Sequence, residues 1–84
     1  MNYEIRIKRS AQKSLAKIPY KFQENIIIAI RNLSNNAQPK GCKKLSGRDA
    51  WRIRIGQYRV LYEIHNNELL IMVVNIGHRK NVYK

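Results

Sequence analysis

Two stretches of the chain hold the side chains that can do chemistry. WRIRIGQYRVLYEI, residues 51–64, carries Arg52, Arg54 and Arg59. NIGHRKNVYK, residues 75–84, carries His78, Arg79, Lys80 and Tyr83. A guanidinium is a planar, permanently charged fork of donors that matches the oxygens of a phosphate. An imidazole is the side-chain type best suited to carry a proton near neutral pH. A phenol can stack on a base or share a proton. Gathered on one surface, these groups would hold a backbone phosphate, stabilise charge growing on it, stack a base and move a proton. RNA cleavage by attack of a ribose 2′-hydroxyl on the neighbouring phosphate has those requirements.

The first stretch reads as a β-hairpin. Trp51, Ile53 and Ile55 alternate with Arg52 and Arg54, and Tyr58, Val60, Tyr62 and Ile64 alternate with Arg59, Leu61 and Glu63. Gly56-Gln57 between them suits a type II′ turn, which sets Ile55 opposite Tyr58 and Arg54 opposite Arg59. Arg52 falls two residues along on the same face. Like charges directly opposite one another weaken a strand pair. Such a face is either solvated, its long side chains splaying into water, or a phosphate site.

Asn66-Asn67 predicts a type I′ turn into a strand over residues 68–76 that is apolar almost throughout. A run of that kind marks a central strand covered on both faces. This turn sets His65 opposite Glu68, Leu61 opposite Met72 and Arg59 opposite Val74. Leu61, Leu70, Met72 and Val74 then form an apolar floor on the arginine face, to be covered by residues 77–84 or by a partner helix. The strand would deliver His78, Arg79 and Tyr83 to the end of the sheet where Arg54 and Arg59 lie. His65 is expected to be solvated at the turn. Glu63 falls further from the arginines by register.

The N-terminal half supplies the supporting elements. Tyr3, Ile5 and Ile7 alternate with polar residues as a first strand. Ser10 suits a helix N-cap, with Ala11, Leu15 and Ile18 as the apolar stripe of a short helix ending at Pro19. Phe22, Ile26, Ile30 and Leu33 mark a second, longer helix over residues 20–34, stopped by Asn35-Asn36 and Pro39. Residues 39–47 read as a loop that exposes Lys40, Lys43 and Lys44. The expected architecture is α+β: a small, mainly antiparallel, twisted sheet of four strands with the two N-terminal helices on one face, as one domain over residues 1–84.

Charge narrows the function. Lys and Arg number 17 against 5 Asp and Glu, for a net charge of +12 spread along the whole chain rather than confined to a tail. A basic folded body favours a polyanionic partner, and nucleic acid fits better than a membrane because no basic amphipathic segment with an aromatic face stands out. Lys43, Lys44, Arg48 and Lys80 are further candidate RNA contacts. Cys42 is alone, so no internal disulfide or cysteine zinc cluster can form, and a reducing, cytoplasmic setting is expected. The five acids form no cluster suited to a two-metal nuclease, and no phosphate-binding glycine loop, dinucleotide fingerprint or HExxH element occurs. No metal or cofactor is expected.

RIRIGQYRVLYEI followed by NIGHRKNVYK resembles the RelE-type toxins of bacterial and archaeal toxin–antitoxin modules, within the RelE/ParE superfamily. The likeness spans the initial strand, both helices, a KLSG loop, the hairpin, the apolar strand and the basic tail. It implies a metal-independent endoribonuclease that enters the ribosomal A site and cuts mRNA there. It also implies an acidic antitoxin that covers the basic face in a hetero-oligomer. Arg52 and Arg54 match strand positions that are often lysine in the family. Arg59 matches the arginine of its YRV/YRL strand, Arg79 the basic residue after the glycine, and Tyr83 the terminal tyrosine. One departure bears on mechanism. Where some relatives place a lysine to take the 2′-hydroxyl proton, this chain has Arg52, and arginine is a poor base. His78, Tyr83 or electrostatic stabilisation must then carry that step. The same superfamily also implies an alternative, a ParE-type inhibitor that binds DNA gyrase and cleaves nothing. A third reading is an RNA-binding module without turnover.

Overall fold

The computed structural model describes residues 2–47 and 49–78. The strands are β1 (Glu4–Ile7), β2 (Lys43–Lys44), β3 (Trp51–Ile55), β4 (Tyr58–His65) and β5 (Leu70–His78). The helices are α1 (Arg9–Ala16) and α2 (Tyr20–Asn32). One sheet runs β1-β5-β4-β3-β2, antiparallel except for the parallel β1–β5 pair. The sheet therefore has five strands where four were expected. The extra one is the two-residue β2, too short to show an alternation in sequence.

Each strand points one row of side chains at the helices. Ile53, Val60, Tyr62, Ile71, Val73 and Ile76 form that row and are at most 6% exposed. Ala11 and Ile18 from the first helical segment, with Ile26, Ile30 and Leu33 from the second, complete the core. Each Val, Leu or Ile side chain so taken from water contributes roughly 1.5–3 kcal/mol, which is why the amphipathic faces seen in sequence decide the packing. The Tyr62 hydroxyl keeps its partner inside this core, donating to the Ala37 carbonyl at 2.7 Å. Ser34 Oγ donates to the Tyr3 carbonyl at 2.7 Å, and the Tyr3 amide to the Ser34 carbonyl at 2.9 Å, tying the end of the helical pair to the start of β1.

The hairpin forms as its sequence predicts. Ile55 pairs with Tyr58 and Arg54 with Arg59. Gly56 has φ +60°, and Gln57 is absent from the positive-φ residues, as a type II′ turn requires. The next turn differs from expectation. Residues Asn66–Glu68 form a single 3-10 turn, and Leu69 takes a left-handed conformation at φ 49°. The following strand accordingly runs over Leu70–His78 instead of 68–76, with His65 opposite Leu70. His65 is not merely solvated, because its Nε2 lies 3.0 Å from Glu63 Oε1.

A β-bulge then shifts the register again. Tyr62 pairs with Val73, but Leu61 pairs with Asn75, leaving Val74 as the extra residue. Arg59 therefore faces Gly77, not Val74, and Leu61 faces Asn75, not Met72. A one-residue shift exchanges the faces of everything beyond it. Val74 no longer stands opposite Arg59, while Leu61 and Leu70 are buried on the arginine side and Met72 is half-buried. The first helix also starts differently. Its N-cap is Lys8, and Ser10 lies inside it without a capping bond. Gln12 stitches that helix to β1, its amide donating to the Ile7 carbonyl at 2.8 Å.

Candidate nucleic-acid interface

The basic face is built by β3 and β4. Direct opposition puts Arg54 and Arg59 side by side, with Cβ atoms about 4.5–5.5 Å apart by the geometry of such pairs. Arg52, two residues from Arg54, points the same way and stands opposite Leu61. Lys43 of β2 pairs with Arg52 and extends the same face. Gly77 sits opposite Arg59, so no side chain crowds that arginine from its own cross-strand position. Three guanidinium groups and one ammonium thus share one side of the sheet, away from the helices.

At the edge of this face lies a cavity of about 490 Å³, bordered by Lys40, Lys43, Arg52 and Arg54 with Ala29 of α2 and Ile53. Its borders carry four cations and no carboxylate. Arg52 is only 5% exposed, yet among the described residues it has no ion-pair or hydrogen-bond partner. No buried side-chain nitrogen among the described residues lacks a partner, so the guanidinium stays open to the cavity it borders, where an anion can reach it. The sequence shows Lys40 only as an exposed loop residue, not as part of this border. Pro39 and Gly41 around it marked a turn, but nothing in their spacing showed that the turn folds back onto β3.

Two candidates leave the face. His78 pairs with Tyr58, and its ring lies edge-on to the Tyr58 ring at 5.9 Å between centroids. Tyr58 in turn meets Phe22 of α2 at 5.6 Å. The bulge at Val74 therefore carries His78 to the helix side of the sheet, opposite to Arg54 and Arg59. Lys44 is the second: it pairs with Trp51, which packs against the helix-side core. Arg48, Arg79, Lys80 and Tyr83 lie outside the described residues.

Comparison with known proteins fits this geometry to a family. The family model for the ParE toxin of type II toxin–antitoxin systems matches residues 5–83. The chain belongs to the RelE/ParE family of toxins. A relative from Methanocaldococcus jannaschii, described as "Putative toxin RelE1", is 30% identical over 88 residues, covering 100% of this chain and 98% of its own. In fold, the chain is similar to the archaeal RelE of the RelE–RelB complex from Pyrococcus horikoshii OT3. That match has a TM-score of 0.85 and 24% identity, covering 98% of this chain and 100% of that one. It is also similar to the toxin–antitoxin complex RelBE2 from Mycobacterium tuberculosis, with a TM-score of 0.82 and 24% identity over 94% of this chain and 100% of that one. The expected helix pair on one side of a mainly antiparallel sheet is thus the RelE fold. No helix among the described residues is long and apolar enough to cross a membrane.

Proposed function

We propose that this RelE/ParE toxin is a ribosome-dependent mRNA endoribonuclease, and that the arginine face grips the ribose–phosphate unit to be cut. The observation that carries the reading is the direct opposition of Arg54 and Arg59 with Arg52 alongside. A hairpin that tolerates this repulsion gains from an anion bound between the two side chains. In the reaction the 2′-oxygen bonds to phosphorus as the bond from phosphorus to the 5′-oxygen breaks. The products are a 2′,3′-cyclic phosphate and a 5′-hydroxyl. Arg54 and Arg59 neutralise the charge that gathers on the phosphate oxygens, and Arg52 with Lys43 positions the flanking chain. Arg79 and Tyr83, matched to family positions, complete the set as a further phosphate contact and a stacking or proton-sharing group.

His78 has no part in this step, since its ring stacks on the other side of the sheet. Arg52 is a poor base, so catalysis by these side chains is mainly electrostatic, with Tyr83 the candidate proton carrier that the family match supplies. The cellular partner is an acidic antitoxin that covers the basic face, a reading supported by the toxin–antitoxin assemblies of the fold relatives. The toxin acts in the cytoplasm, where ribosomes and mRNA meet.

A second reading draws on the matched family model, which is that of the ParE toxin. In that case the chain binds DNA gyrase and leaves mRNA whole. Mapping mRNA 5′ ends after induction of the wild type and of an Arg59→Ala, Arg79→Ala variant separates the two. Codon-phased cuts that vanish in the variant support the nuclease. Intact mRNA with arrested replication supports gyrase inhibition.

A further inference from the structure

The helix side of the molecule carries a second charged surface that the arginine face does not use. Arg9, Lys13 and Lys17 stand four residues apart along α1 and its C-cap, and all three are exposed. At 1.5 Å per residue they recur about every 6 Å along one helical stripe. None of them forms an ion pair among the described residues, and that helix contains no acid. Like charges at this spacing weaken a helix rather than support it. The stripe ends at a cleft of about 430 Å³ between α1 and the ends of β4 and β5, bordered by Ser14, Lys17, Tyr58 and His78. Beside it the Phe22, Tyr58 and His78 rings follow one another at 5.6 and 5.9 Å, and Lys21 Nζ lies 5.0 Å from the centre of the Phe22 ring.

A row of cations leading to a group of partly open rings is the composition of a single-strand binding groove: the charges track phosphates and the rings receive bases. An acidic protein segment would use the charges but has no need of the rings. We propose that α1 and the Phe22–Tyr58–His78 cleft form a second RNA-binding surface, which takes an unpaired stretch of RNA with phosphates along Arg9, Lys13 and Lys17 and a base against Tyr58 and His78. The inference rests on the RNA-directed reading of the toxin and adds a contact on the opposite side of the sheet. One RNA assembly would then be held from both sides, with the arginine face at the bond to be cut.

The test uses the full chain and a fluorescein-labelled uridine dodecamer titrated by anisotropy over a range of salt. Lys13→Gln with Lys17→Gln alters only exposed side chains. Loss of two phosphate contacts is expected to flatten the dependence of log affinity on log salt by about 1.4 and to weaken binding several-fold. Arg54→Gln with Arg59→Gln serves as the comparison. Photocrosslinking with a 5-bromouridine dodecamer supplies a second readout that needs no variant, with adducts expected at Tyr58 or His78. The inference is overturned if the lysine pair leaves both slope and affinity unchanged and crosslinks map only to residues of the arginine face, over 43–54 or at Arg59, with none at Tyr58 or His78. If in that case the arginine pair still abolishes binding, the nuclease reading stands without the second surface. If the lysine pair reduces binding and the arginine pair does not, the second surface stands and the arginine face loses its assignment.

Discussion

Replacing Arg54 with Gln should make the protein more stable and less active at once. Arg54 is exposed and directly opposes Arg59 on the neighbouring strand. A like-charge pair in that position costs roughly 0.2–1 kcal/mol relative to a neutral pair. Glutamine keeps most of the length of the side chain and removes the charge. For a chain of 84 residues, about 0.5 kcal/mol raises Tm by about 2–4 °C. Because the repulsion is between partly solvated charges, it depends on salt. The Debye length falls from about 30 Å at 0.01 M to about 3 Å at 1 M, so the gain in Tm should appear in dilute buffer and vanish in 1 M NaCl. Cleavage should fall by about 10²–10³-fold, the usual cost of removing one donor that stabilises a developing oxyanion. Thermal unfolding at the two salt concentrations, with ribosome-programmed cleavage on the same preparations, reads both effects. A Tm that drops in dilute buffer or a gain that persists in 1 M salt would mean that Arg54 and Arg59 do not repel one another, and unimpaired cleavage would mean that Arg54 does not meet the phosphate.

Other outcomes follow from the same geometry. Tyr62→Phe leaves the Ala37 carbonyl without its 2.7 Å partner and should cost about 1–3 kcal/mol in denaturant unfolding, with cleavage unchanged. Burial raises the Tyr62 phenol above its ordinary value of 10.0, the nearby Cys42 adding to the shift. The unfolded chain therefore ionises first as pH rises, so this stabilisation is complete below pH 10 and is lost progressively above it; Tyr62→Phe should flatten that alkaline decline. Gly56→Ala forces a Cβ into φ +60° and should destabilise the hairpin by about 1–2 kcal/mol, read as a lower urea midpoint at constant m.

The hairpin was legible because its two strands alternate cleanly and a glycine opens the turn; the opposition of Arg54 and Arg59 followed from that alone. The helices were legible from Ile26, Ile30 and Leu33 and from the break at Pro19. The last strand was not. Residues 69–74 are apolar without interruption, so no period distinguished the two faces, and a bulge at Val74 could not be seen. Asn75 was the available signal. With this polar residue on the arginine side, Ile76 must turn inward and His78 must follow it, as the burial of Ile76 at 1% bears out. Ser10 misled for a different reason: an N-cap-type residue inside the first turn is indistinguishable in sequence from a true cap one or two residues away.

In the nuclease reading one face of the sheet holds a single ribose–phosphate unit through Arg52, Arg54 and Arg59. Single-turnover cleavage of a 5′-labelled mRNA on programmed ribosomes tests it most directly, with saturating wild type, Arg52→Gln, Arg54→Gln and Arg59→Gln compared side by side. Arg54→Gln and Arg59→Gln should each slow the cut by at least about 10²-fold, while Arg52→Gln should weaken binding as well. Wild-type rates in all three variants, or cleavage abolished by a change at His78 alone, would contradict it.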